Sequence, residues 1–230
     1  MSSGRFQSRQ TEANTYDLGD ALPVEGLSSL DAGTNVLVSG PPMLGKQQLV
    51  LELLAAGTDD EHALAITPDT NGDRLRRQFE NATGRDADRL RIVDCTGATG
   101  KGSMDDSETI KYVGSPSDLT GIGMGIVKCT RDIGAGVDDG LRLSVLSLST
   151  LLRYANADRM FNFLHTVTGR VSAAGYLGLA TFDPTTHDAS AANTLTALFD
   201  VVVELREADD GSREVRAVGH PGTPRTWQPF

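Results

Sequence analysis

The sequence predicts an α/β domain of three layers, a mainly parallel sheet between two layers of helices, closed by a C-terminal β-hairpin. Three observations carry this. Short apolar runs alternate with stretches of helical period from residue 35 to residue 205. The first run feeds through a glycine-bounded loop straight into a helix. Near the end, Asp209-Asp210-Gly211 followed by the alternating Arg213–Val218 has the composition of a hairpin.

Residues 1–16 are polar and are expected to be a flexible N-terminus, with a single domain over 17–230. Residues 17–34 look like a short turn or helix leading into the first strand, Asn35–Ser39. Residues 47–57 carry apolar side chains at 49, 50, 51, 53 and 54 and read as a mostly buried helix. His62–Thr67 is the second strand, ended by Pro68. Over 71–82, Leu75 and Phe79 stand four apart on the inner face of a helix. Arg74, Arg76 and Arg77 point outward as a solvated face, with an anion or partner contact as the alternative. Leu90–Asp94 is the third strand, and its terminal Asp94 is read as a turn or helix cap, an acid that orients Mg²⁺ being the alternative. Residues 97–116, rich in Gly, Ser and Asp, read as a long mobile loop. Over 117–133 a helix carries Leu119, Ile122, Ile126 and Val127, and Gly121, Gly123 and Gly125 suggest close packing of that helix against a neighbour. Residues 141–147 form the fourth strand and run on through Leu152. A helix capped by Asn156 or Asp158 continues to residue 174, with Met160, Leu164, Val167 and Val171 as its apolar stripe and Gly175 as its stop. A fifth strand (176–182), a short helix (189–198) and a sixth strand (199–205) precede the hairpin. The tail, 220–230, with the single tryptophan Trp227, is expected to pack on the domain edge or on a neighbour.

The residues between the first strand and its helix carry the clearest chemistry. Gly40-Pro41-Pro42-Met43-Leu44-Gly45-Lys46-Gln47 matches Gly-x4-Gly-Lys in the strand–loop–helix context that a phosphate-binding loop requires. Backbone N–H groups of the loop and first helical turn converge there, and the helix dipole favours an anion. Lys46 supplies a point charge to the outer phosphates. The next position ordinarily holds Ser or Thr, whose hydroxyl binds Mg²⁺; here it is Gln47. The competing reading is a strand-to-helix turn with one exposed lysine and no ligand.

The net charge of −10 and a pI near 4.8 argue against a nucleic-acid-binding surface, which needs clustered Lys and Arg. The acidity comes from 22 Asp and 9 Glu against 4 Lys and 17 Arg. Scarce lysine with abundant aspartate suits a surface that must stay hydrated in strong salt, so a halophilic source is expected. Cys95 and Cys129 have no metal-ligand spacing, and His62, His165, His187 and His220 form no cluster, so no metal site is expected from them. With no long apolar run, the expectation is a cytoplasmic protein without membrane insertion.

Taken with Ser147-Leu-Ser-Thr-Leu-Leu152, Phe199-Asp-Val-Val-Val-Glu-Leu205 and the closing Trp227-Gln-Pro-Phe230, the loop gives the chain a resemblance to KaiC-like members of the RecA superfamily of P-loop ATPases. It most resembles the single-domain versions of halophilic archaea, over most of residues 25–230. The resemblance implies a RecA-like fold, ATP or ADP at a subunit interface, Mg²⁺, a homo-oligomer, and regulatory or assembly roles. It places the loop lysine at Lys46 and the Mg²⁺-binding hydroxyl at Gln47, a departure. It places the water-activating glutamate near Asp69, one carbon shorter, and the fourth-strand aspartate at Leu146, which removes a carboxylate. Its trans-acting basic pair falls on Arg216 and Val218, so one member remains. Since the departures fall where Mg²⁺ and water are handled, the expectation is nucleotide binding with weak or absent hydrolysis. The alternatives are an active ATPase using Asp69 or Asp94 as substitute acid and an interaction scaffold without a ligand; a DNA-directed role follows from the superfamily alone, and the negative charge opposes it.

Overall fold

A computed structural model of the chain describes residues 15–58, 61–97, 105–134 and 140–230. Residues 1–14, most of the segment expected to be flexible, and 98–104 of the expected loop lie outside the described residues. In chain order the elements are β1 (Thr15–Asp17), β2 (Ser29–Asp31), β3 (Asn35–Ser39), α1 (Lys46–Ala55), β4 (His62–Thr67), α2 (Gly72–Thr83), β5 (Leu90–Asp94), β6 (Ile110–Tyr112), α3 (Leu119–Asp132), β7 (Leu141–Val145), α4 (Leu148–Tyr154), α5 (Ala157–Ala174), β8 (Leu177–Phe182), α6 (Ala189–Thr196), β9 (Val201–Glu207), β10 (Arg213–Val218) and β11 (Gln228–Pro229).

Nine strands form one sheet in the order β11-β10-β9-β3-β8-β7-β4-β5-β6. From β9 to β6 every pair is parallel, and the hairpin strand β10 and the short β11 join antiparallel at one edge. The expected three-layer architecture with a C-terminal hairpin is therefore present. Alternation along β3 divides the core: Val36 and Val38 join Leu49, Leu53 and Leu75 on the face of α1 and α2. Leu37 joins Ile122, Leu151, Met160 and Leu195 on the face of α3 to α6. Both faces of the parallel strands are thus covered, which is why they read as apolar runs rather than alternating ones.

Several expectations need correction. The lead-in over 17–34 is neither a helix nor a mere turn. β1 and β2 pair antiparallel, and Leu18, Leu22, Val24 and Leu27 bury themselves in the same core as α1. Thr15 and Tyr16, expected in the flexible N-terminus, belong to β1; Tyr16 is 2% exposed and its hydroxyl donates to the Gly175 carbonyl at 3.0 Å. This extra apolar cover explains why α1 is buried nearly all round. The loop expected over 97–116 contains β6, a three-residue edge strand too short to announce itself. Residues 148–154 leave the sheet and form α4 instead of prolonging the fourth strand. The expected close packing of the α3 glycines holds at Gly125, where a β-carbon would stand 2.8 Å from Val93 Cγ1 on β5, but not at Gly123, which faces open space. Arg76 is not simply solvated, for it donates to Asp88 at 2.8 Å and Thr109 at 3.1 Å.

The tail pairs through β11 with β10, and Phe230 packs on the core, as expected of a segment lying on the domain edge. Trp227 takes the guanidinium groups of Arg206 and Arg216 against its ring at 4.2 and 4.4 Å.

Candidate functional site

The carboxyl ends of β3, β4, β7 and β8 meet at one edge of the sheet, the position where parallel α/β sheets hold ligands. The loop between β3 and α1 forms one wall. Gly40 passes so close to β9 that a β-carbon would lie 2.5 Å from the Leu205 carbonyl oxygen. Gly45 is the N-cap of α1 with φ 86°, a left-handed conformation that favours glycine, and no side chain caps the helix. The N–H groups of the first turn are therefore left to a ligand or to water. Leu44 anchors the loop in the core, Pro41 and Pro42 are exposed, and Met43 forms the tip, left-handed with φ 67° and 91% exposed. Arg213 and Phe230 stand beside the loop, Arg213 Nη1 3.7 Å and the Phe230 ring 3.9 Å from a β-carbon built on Gly45.

Lys46 folds back on this loop. Its ammonium donates to the Gly40 carbonyl at 2.6 Å and to that of Pro41. Burial holds its pKa below the usual lysine value, and the nearby charge of Asp183 acts in the opposite sense. An arriving phosphate would restore the stabilisation of the charged form.

The opposite wall is a chain of hydroxyls around the start of α4. Ser147 sits in the left-handed region, φ 59°, at the sharp exit from β7. Its N–H donates to Thr181 Oγ1 at 2.7 Å, and its Oγ lies 2.7 Å from Thr150 Oγ1. Thr150 Oγ1 donates to Asp69 Oδ2 at 3.1 Å and accepts from Arg153 Nη2 at 3.1 Å. Ser149 Oγ accepts the Asp183 N–H at 2.9 Å, and Asp183 Oδ1 accepts from the backbone and hydroxyl of Thr185 at 2.9 and 2.6 Å. The His187 ring stacks on Phe182 at 5.5 Å, with Nε2 buried and unpartnered. Between the walls lies a cleft of about 360 Å³ lined by Lys46, Ser147, Thr150, Arg153, Asp183 and His187, among others.

Some predicted site residues come together here and others do not. The loop residues 40–47, Lys46 above all, and Asp69 through Thr150 gather at this edge. Asp94 does not: it is 2% exposed, Oδ2 accepts the Gly72 N–H at 2.8 Å, and Oδ1 accepts from the backbone and hydroxyl of Thr96. It ties the start of α2 to the turn after β5 and lies outside the cleft lining. Arg216 is mid-strand in β10, donates to Glu204 and lies against Trp227, outside the cleft. Sequence reasoning missed Arg153 and His187. A signal for Arg153 was present, since Ser147, Thr150 and Arg153 recur every third residue and so share one side of α4.

The residues do not fit the magnesium ion that the resemblance implies. Gln47 turns from the cleft, donating from Nε2 to Gln78 Oε1 on α2 at 3.2 Å. Leu146 is 2% exposed and packs into the core on the α1 side. Among the described residues no three His, Cys, Asp or Glu side chains are grouped to hold a metal. Among them, too, no helix is long and apolar enough to cross a membrane.

A family model described as a family of unknown function, DUF7504, matches residues 33–205, from the start of β3 to within β9. Among solved structures, the crystal structure of a KaiC-like protein from the hyperthermophilic archaeon Pyrococcus horikoshii OT3 is similar, with a TM-score of 0.64 and 16% identity over 94% of this chain and 93% of that one. No curated protein sequence matches the chain. At that identity the structural likeness establishes the RecA-like fold and leaves the activity to the residues of the site.

Proposed function

The chain belongs to the DUF7504 family, and on that footing we propose that it is a nucleotide-responsive regulatory or assembly protein, binding ATP or ADP at residues 40–47 with hydrolysis slow or absent. One observation carries the reading. The apparatus for binding phosphate is intact, an uncapped helix start beyond a left-handed Gly45 with Lys46 beside it. The positions that would manage metal and water hold a Gln47 bonded to Gln78 and a core Leu146. Binding draws on loop amides and one ammonium. Phosphoryl transfer to water also needs an oriented nucleophile and neutralised leaving oxygens, and losing such groups costs orders of magnitude in rate. Assembly into a homo-oligomer, with Arg216 released from Glu204 to reach a neighbouring cleft, belongs to the same reading, as do a cytoplasmic location and a halophilic source consistent with 22 Asp against 4 Lys.

Thermal unfolding in molar KCl tests the binding. ATP should raise the melting temperature of the protein and leave Lys46→Ala unmoved, while phosphate release from both stays at the same background. An unshifted wild-type protein would sink the proposal in favour of a ligand-free scaffold. The active-ATPase alternative retains one observation: Asp69 is exposed at the end of β4 and hydrogen-bonded to Thr150 of the cleft. Phosphate release well above the Lys46→Ala background and lost in Asp69→Asn would establish it.

A further inference from the structure

We infer that the guanidinium of Arg153, together with Lys46, neutralises the phosphates of a nucleotide in this cleft, so that the chain binds nucleoside di- and triphosphates without a divalent cation. The inference rests on the nucleotide-binding reading above. It begins from the misfit of the metal. A polyphosphate brought into a partly enclosed cleft must have its charge compensated, because desolvated anions are costly unless paired. Elsewhere on this fold a hydroxyl after the loop lysine and a carboxylate at the end of a strand hold a divalent ion for that purpose. Here the first position is Gln47, tied to Gln78, and the second is Leu146, sealed in the core. The acids left at the edge, Asp69 with Oδ2 on Thr150 and Asp183 with Oδ1 on both donors of Thr185, belong to no group of three His, Cys, Asp or Glu side chains among the described residues.

What the cleft offers instead is positive charge. Lys46 and Arg153 line the same space. Arg153 extends from α4, is exposed, and among the described residues makes one hydrogen bond, to the neutral Thr150 hydroxyl at 3.1 Å. Its other N–H groups form a planar fork that matches two phosphate oxygens at once, a geometry an ammonium lacks. The Thr150 contact sets where the fork lies, for Thr150 is itself fixed by Ser147 Oγ at 2.7 Å and by Asp69. Lys46, by contrast, is satisfied by carbonyls of its own loop, a neutral arrangement that a phosphate oxygen would replace. Arginine in a chain with so negative a surface, held at the cleft without a carboxylate partner, is placed for an anionic ligand. The buried, unpartnered Nε2 of His187 lies on the same lining.

The test is calorimetric titration of ATP and of ADP into the full chain in molar KCl, once with EDTA and once with excess Mg²⁺. The expected affinities agree within about twofold in the two conditions. Arg153→Ala should weaken ATP binding about tenfold or more in both, the scale of losing a charge-assisted bidentate contact, and Arg153→Lys should recover part of the loss. Because Arg153 is exposed, melting without nucleotide should be unchanged in both variants and certifies their folding. A tenfold gain from Mg²⁺, or an Arg153→Ala variant that binds as well as wild type while Lys46→Ala does not, overturns the inference and leaves the nucleotide-binding reading standing. Absence of binding by the wild-type chain overturns both.

Discussion

Two polar clusters lie at opposite ends of the same strands, and they differ in how their charges are met. At the amino end of β7, Arg142 is completely buried in the sheet. Its Nε donates to Glu61 at 2.7 Å, its Nη1 to the Leu53 carbonyl at 2.8 Å and its Nη2 to the Asp17 carbonyl at 2.7 Å, with the Tyr16 ring 5.4 Å away. Every nitrogen has a partner and water has no access. The cluster is complete, and it binds β1, the end of α1 and β7 into one body. At the carboxyl end, Lys46 and Arg153 border open space and are met by neutral carbonyls and a hydroxyl. A guanidinium enclosed with all its partners is structure; a cation left beside a cleft with neutral partners is what the proposed anionic ligand requires. The same sheet edge logic that gathers loops at the carboxyl end gives the second cluster its access.

Substitutions at the two ends should separate stability from binding. The largest effect is expected for Arg142→Ala, which leaves Glu61 and two backbone carbonyls without their donor; the cost should be about 3–5 kcal/mol, read from denaturant unfolding. A loss under 1 kcal/mol would mean that the closed cluster is not structural. Next comes Trp227→Ala. It removes the ring that two guanidiniums share and should cost about 1–3 kcal/mol, measured in the same way. Lys46→Ala should barely change unfolding without nucleotide, by about 1 kcal/mol or less, because its hydrogen bonds are to its own loop. A further effect concerns pH. Burial pushes the Cys129 thiol from its ordinary value of 9.0 up to about 11. The unfolded chain therefore gives up this proton first as pH rises. Its contribution is complete below about 9 and is lost between there and 11, so Cys129→Ala should flatten that part of the stability curve. An unchanged slope in the variant would show that other groups govern the alkaline limb.

How much of this was legible depended on which physical signal a segment carried. Asn35–Ser39, His62–Thr67, Leu90–Asp94 and Arg213–Val218 are legible with their observed bounds because each is a short apolar or alternating run, three of them followed directly by Gly or Pro. The strand–loop–helix passage through residues 40–47 is legible because its signal is local in sequence. Contacts distant in sequence were not. Nothing local in sequence marks Arg142 as buried, and only the cover on both faces of β7 makes it so. β6 owes its existence to pairing with β5, and α4 is seven residues of mixed polarity whose start is fixed by the strained turn at Ser147. Arg153 became a candidate only when α4 was seen to lie across the cleft from Lys46. His187 needed the stack on Phe182 to bring it to the lining.

The hairpin has an optical consequence. Trp227 is the chain's one indole, and it rests against Arg206 and Arg216, on strands whose Arg213 end, with Phe230, stands beside the loop at Gly45. Movement of that loop has a short mechanical route to a fluorophore. If the loop takes the proposed nucleotide, the unlabelled protein carries its own gauge of occupancy in the colour and intensity of a single emitter.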